Sequence, residues 1–157
     1  MKKASRLVII LVLIFASRAG FSQKYKSPDD TVKLNTEYLK LSNEIAELTA
    51  DLIVAQNKLP NYQSKANDAG SDAYKAATSS SDQASKATDG SVKDARKAKK
   101  KAKKAYNEAK DARSADNNLE DQQDKIKKLS SQLDKKKERM GKLDEMRAAI
   151  NAKLLLN

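Results

Sequence analysis

The chain of 157 residues contains no cysteine, no histidine and no tryptophan. Without thiols it has no disulfide, no thiolate nucleophile and no lipoprotein-type lipidation site; without imidazole it lacks the commonest general base. The two absences together remove the usual zinc ligand sets. Glycine occurs four times and is nowhere clustered, so neither a phosphate-cradling loop nor a dinucleotide fingerprint is present. Aromatic residues make up 4% of the chain, too few to fill a globular interior, and nothing alternates with the period of two that a strand requires. Most enzyme classes are thereby excluded. No catalytic residue, cofactor or metal site is expected, and carboxylates such as Asp116, Glu120, Asp121 and Asp124 read as solvated helix surface.

What the chain does have is charge, at 34% of residues, and a heptad arrangement of Ala, Lys, Asp, Leu and Ser. That combination belongs to a coiled coil, whose interior is a stripe along each helix. Its amino-terminal part has a different character. Lys2, Lys3 and Arg6 precede an apolar run over residues 7–15, and small residues follow, including Gly20 and Ser22. Residues 1–22 therefore read as a secretory signal peptide cleaved before Gln23, the apolar run being too short for a spanning helix. Loss of Lys2, Lys3, Arg6 and Arg18 takes the formal charge from +11 to +7, so the mature chain stays basic. An exported protein, periplasmic or extracellular and soluble once the signal is removed, is the expectation.

Residues 23–27 lack periodicity and read as a mobile lead. Ser27, Pro28, Asp29 and Asp30 then form a helix start: a capping hydroxyl, proline where its missing N–H is harmless, and carboxylates at the positive end of the helix dipole. From there residues 28–157 read as an all-α, elongated antiparallel coiled-coil hairpin with its tip near 88–92. The order of side-chain sizes carries this reading. Large seam residues from Tyr38 to Tyr62 give way to alanines, and beyond the tip Ala95, Ala98, Ala102, Ala105, Ala109, Ala112 and Ala115 precede a Leu, Ile and Met seam from Leu119 onward. Folding about Gly90 and Ser91 sets Tyr62 level with Leu119, Ala66 with Ala115 and Leu52 with Leu129. Each arm of about 60 residues would be roughly 90 Å long. A parallel oligomeric coiled coil is the competing architecture. Gly90 is expected to end the first helix in a left-handed conformation, and Ser91 with Asp94 to cap the second. Pro60 on one arm, and residues 116–118 with a three-three-four slip at Ala109, Ala112, Ala115 and Leu119 on the other, suggest a weakened joint. Gln122 and Lys136 fall on the seam, where polar residues restrict register.

The conspicuous charge feature is Lys93, Arg96, Lys97, Lys99, Lys100, Lys101, Lys103 and Lys104, eight cations in the twelve residues 93–104. They stand at a helix start, where the dipole disfavours them, and read as a possible anion-binding tip. The bland alternative is a solubilising run, since no aromatic residue interleaves the lysines for stacking on bases.

The stretch 97–105 resembles the Ala-Lys tails of linker-histone-like proteins, and in general organisation the chain resembles the Skp/OmpH family of periplasmic chaperones: exported, small, basic and built on a long helical hairpin. That family trimerises through β-strands at the hairpin base, for which this sequence has no counterpart. The expected function is therefore a structural or interaction element of the bacterial cell envelope, with a holdase-like periplasmic chaperone as the alternative. Expected partners are a second copy of the chain, another envelope protein, or an anionic membrane or envelope polymer. Nucleic acid is disfavoured by the export signal.

Overall fold

The computed structural model describes residues 24–88 and 90–155; the expected signal, residues 1–22, lies outside them. The described chain is all helical. A short 3-10 turn, Pro28–Asp30, leads into helix α1, Thr31–Thr88, and after Gly90 and Ser91 the chain continues as helix α2, Val92–Leu154. The two long helices pack against each other as a hairpin, and no strand occurs among the described residues. The chain divides into two compact units. One holds the described residues up to Ser42 and those from Glu138 onward; the other is Asn43–Lys137.

The first unit begins with the expected helix start. Ser27 is extended, and Asp30 Oδ2 accepts the N–H groups of Lys26 (3.0 Å) and Ser27 (3.2 Å), with the Ser27 hydroxyl also at 3.2 Å. The Lys26 and Ser27 N–H donors, followed by the Ser27 hydroxyl, hold the Asp30 carboxyl below its ordinary range. The lead expected to be mobile is anchored from Lys24 onward. Tyr25 is buried, and Leu34, Leu41, Leu143, Met146 and Ile150 form the apolar interior of this unit. Arg147 occupies a seam position and lays its guanidinium 4.1 Å from the Tyr38 ring centre, donating to Asn35 Oδ1 at 3.1 Å.

In the second unit buried and half-buried positions recur at alternating steps of three and four. On α1 they run through Ile45, Leu48, Leu52, Ala55, Leu59, Tyr62 and Ala66 without a shift at Pro60, although proline cannot donate to the carbonyl four residues back. Helix α2 is likewise unbroken at Asp116, Asn117 and Asn118. The expected slip of frame is absent, because Ala95, Ala102 and Ala109 are exposed and Asp94, Lys101 and Glu108 take their heptad positions. The reason is energetic. Leu119, Ile126, Leu129 and Leu133 fix the rotation of the helix through their buried area, and an alanine offers too little area to turn it back. The two polar residues placed on this seam each meet the opposite helix: Gln122 Nε2 donates to the Ala55 carbonyl at 2.6 Å, and Lys136 Nζ lies 2.6 Å from Glu44 Oε2. These contacts set the arms within about one turn of the register obtained by folding about Gly90 and Ser91.

Two details of the turn differ from expectation. Gly90 does not have positive φ. Its requirement is space, since a Cβ there would stand 2.6 Å from the Lys86 carbonyl oxygen and 3.1 Å from Asp94 Cβ. Asp94 Oδ2 accepts from the Ser91 N–H (3.2 Å) and hydroxyl (2.9 Å), so the carboxylate supplies the cap and the serine hydroxyl donates to it. Gly70 and Gly141, by contrast, have open space where a Cβ would go.

Candidate anion-binding surface

The cap at Ser91 starts α2, and the eight cations follow on its first turns. Lys93, Arg96, Lys97, Lys99, Lys100, Lys101, Lys103 and Lys104 are all exposed. Their ion pairing is sparse: among the described residues Lys97 to Asp94, at 3.5 Å, is the one salt bridge that any of the eight forms. Asp94 is held below its ordinary carboxyl range, first by the Ser91 hydroxyl and then by the Ser91 N–H, with Lys97 adding to both. It therefore stays ionised and offsets part of the unfavourable dipole at the helix start.

The frame of α2 distributes the others. Lys101 occupies the heptad position that faces α1, and with Lys104 it borders an open groove of about 320 Å³ whose other walls include Lys75, Asp72 and Ser79 of α1 and Glu108 of α2. Three ammonium groups and two carboxylates share that groove. Lys93, Arg96, Lys99, Lys100 and Lys103 are exposed and do not line it. The arrangement is a dense array of mobile point charges without a shaped cradle. Ammonium groups of this kind attract phosphate, sulfate or carboxylate groups carried on a polymer or surface, and discriminate weakly among them.

A second polar centre, which the sequence did not single out, lies in the first unit around Glu37. Its Oε2 accepts from Lys24 Nζ (2.8 Å) and the Tyr25 hydroxyl (2.6 Å), and its Oε1 accepts from Arg139 through Nη2 (2.7 Å) and Nε (3.1 Å). Lys24, then Tyr25, then Arg139 hold the Glu37 carboxyl down at about 2. Lys153 Nζ donates to the Lys26 carbonyl at 3.0 Å and ties the lead to α2 as well. The available signal was Tyr25 itself, an aromatic residue in an otherwise polar lead. Its closed set of partners makes this centre a fastening, not a reactive site.

Among the described residues no helix is long and apolar enough to cross a membrane. No protein-family model matches the chain, and comparison with curated proteins and with solved structures finds no match either.

Proposed function

We propose that this chain is a non-enzymatic structural or interaction element of the bacterial cell envelope: an exported antiparallel coiled-coil hairpin that attaches to polyanionic surfaces through residues 93–104. The observation that carries the reading is the exposure of eight cations, of which Lys97 alone forms an ion pair, with Asp94, among the described residues. A solubilising surface needs charge of either sign, whereas this segment concentrates one sign at the helix end where the dipole opposes it. Burial at alternating three- and four-residue steps along both helices supports the coiled-coil description. The order of basic, apolar and small residues over 1–22 supports export.

At an anionic membrane surface each lysine is worth roughly 1 kcal/mol, decaying within a Debye length of about 8 Å. The test is retention of the purified protein on vesicles containing anionic lipid and on anionic envelope polymer. Binding should be released by moderate salt and weakened by replacing Lys97, Lys100, Lys103 and Lys104 with Gln. Absence of retention at low ionic strength would remove the attachment role. Suppression of the aggregation of an unfolded client, with no retention on either surface, would instead indicate a holdase.

A further inference from the structure

The charges of α1 are sorted. The helix carries thirteen, and every one falls on two of the seven heptad positions: the series of Lys33, Lys40, Glu47, Asp68, Lys75 and Asp82, and the series of Glu37, Glu44, Asp51, Lys58, Lys65, Asp72 and Lys86. Two further positions form the seam against α2. The remaining three are uncharged along the whole helix, in a chain of which 34% is charged. Helix α2 has no such sorting and carries twenty cations against eleven acids, while α1 carries six against seven.

Within the second unit this uncharged face is exposed apart from the half-buried Thr49. One of its series presents Ala46, Ile53, Pro60 and Tyr74, with Ile53 51% and Tyr74 74% exposed. The adjoining series is small throughout: Asn43, Ala50, Asn57, Ser64, Ser71 and Thr78. The third includes Gly70, whose missing Cβ meets nothing in its own chain. A glycine inside a helix destabilises it relative to alanine, and the single chain offers no packing reason for it.

We infer that this face is a homotypic interface, on which α1 of a second copy lies antiparallel, with the two-fold axis beside Asn61. The electrostatics select the occupant. A partner surface must itself be uncharged, because a charge laid on this face would find no counter-ion. A second α1 supplies an uncharged face of identical length and period, and pairing through α1 keeps the two basic α2 helices apart. Shape and flanking charge select the direction. In an antiparallel pair centred near residue 61, each large residue meets a member of the small series on the other copy: Ile53 meets Ser71, Pro60 meets Ser64 and Tyr74 meets Ala50. Along the flank, Glu47 comes beside Lys75 of the second copy. Parallel pairing in register would set Glu47 on Glu47 and Lys75 on Lys75. The inference is independent of attachment through residues 93–104, and either can fail without the other.

The chain has no cysteine, so single thiols can be introduced cleanly. Asn61→Cys should be joined into dimers by a short bismaleimide, while Lys110→Cys, on the exposed surface of α2, should not. A mixture of Glu47→Cys and Lys75→Cys chains should give mixed dimers in preference to homodimers of either. Ile53→Glu should abolish the Asn61→Cys cross-link and reduce the sedimentation mass to one chain. Its helical circular dichroism should be unchanged, because residue 53 is half exposed in the single chain. A wild-type mass of one chain at every concentration would overturn the inference. So would equal linking of the Asn61 and Lys110 thiols, homodimers dominating the mixture, or a dimer that Ile53→Glu leaves intact.

Discussion

The side-chain amide of Gln122 donates a 2.6 Å hydrogen bond to the backbone carbonyl of Ala55 on the opposite helix, buried from solvent. A polar side chain in an apolar stripe is tolerable only when such a bond is made, because an unpaired buried amide costs about 1–3 kcal/mol. The contact depends on register, since sliding either helix separates donor from acceptor.

Replacing Gln122 therefore separates stability from specification. Gln122→Ala should lower stability by about 1–2 kcal/mol through lost packing and the lost bond. Gln122→Leu should unfold at an equal or higher temperature, because apolar burial substitutes for the hydrogen bond, while allowing alternative pairings. Thermal unfolding with size measurement on both variants checks this. A Gln122→Leu chain clearly less stable than the wild type would show that the amide contributes more than apolar burial at this position.

Acid should release the lead. The Glu37 carboxyl is lowered from about 4.5 to about 2 by Lys24, Tyr25 and Arg139. A carboxyl depressed on folding contributes stability above its unfolded value and loses that contribution as pH falls from about 4.5 toward 2. Over that window Tyr25 should detach while α1 and α2 stay helical. Glu37→Gln should reproduce the release at neutral pH, seen as faster tryptic cleavage after Lys24 and Lys26 with helical content unchanged. Equal cleavage rates in wild type and variant would mean that the buried Tyr25 ring alone holds the lead.

The two glycines of the second unit should respond in opposite directions to the same substitution. A Cβ on Gly90 would lie 2.6 Å from a backbone oxygen that cannot swing away, so Gly90→Ala should destabilise the turn, by about 1–3 kcal/mol. Gly70 is open, so Gly70→Ala should gain up to about 1 kcal/mol of helix stability in the single chain. Chemical denaturation at low protein concentration measures both.

The hairpin was legible in the sequence because its two arms present the same size gradient in opposite order, and large seam residues such as Leu52 and Leu129 leave little freedom of rotation. The alanine half was legible only in part. Alanines at 95, 98, 102, 105, 109 and 112 make one rotation of α2 locally the more apolar, yet the leucines far along the helix impose the other, which puts Asp94, Lys101 and Glu108 at seam positions. Gly90 was identified as the turn residue but for a different physical reason: contact with Lys86 and Asp94 leaves no imprint on local composition. The Glu37 centre was hidden for a related cause, joining Lys24 and Arg139, residues 115 positions apart that only the folded chain brings together. The eight cations of the candidate surface were fully legible as a run. That Lys101 borders a groove with Lys75 could not be read until the phase of α2 was known.

The register itself can be tested on the alanine half, where it is least secured by large side chains. Ala66 is buried and Ala115 half-buried, and both lie on the faces that the two arms of the second unit turn toward each other. Folding about Gly90 and Ser91 sets them at one level, and cysteines placed there have no competing thiols in the chain. Oxidation of the doubly substituted protein should give a disulfide within one chain, visible as a faster-migrating monomer on non-reducing gels, even at high dilution. Cysteines at Ala66 and Leu129 should not link. They sit about two heptads out of register, roughly 20 Å apart along the helices, and a disulfide needs Cα atoms within about 7 Å. A parallel oligomer would behave in the opposite way, with Ala66 and Ala115 far apart in every chain and the pair remaining reduced on dilution. Exclusive formation of interchain disulfides would mean that the arms associate between molecules, and the intramolecular hairpin would have to be abandoned.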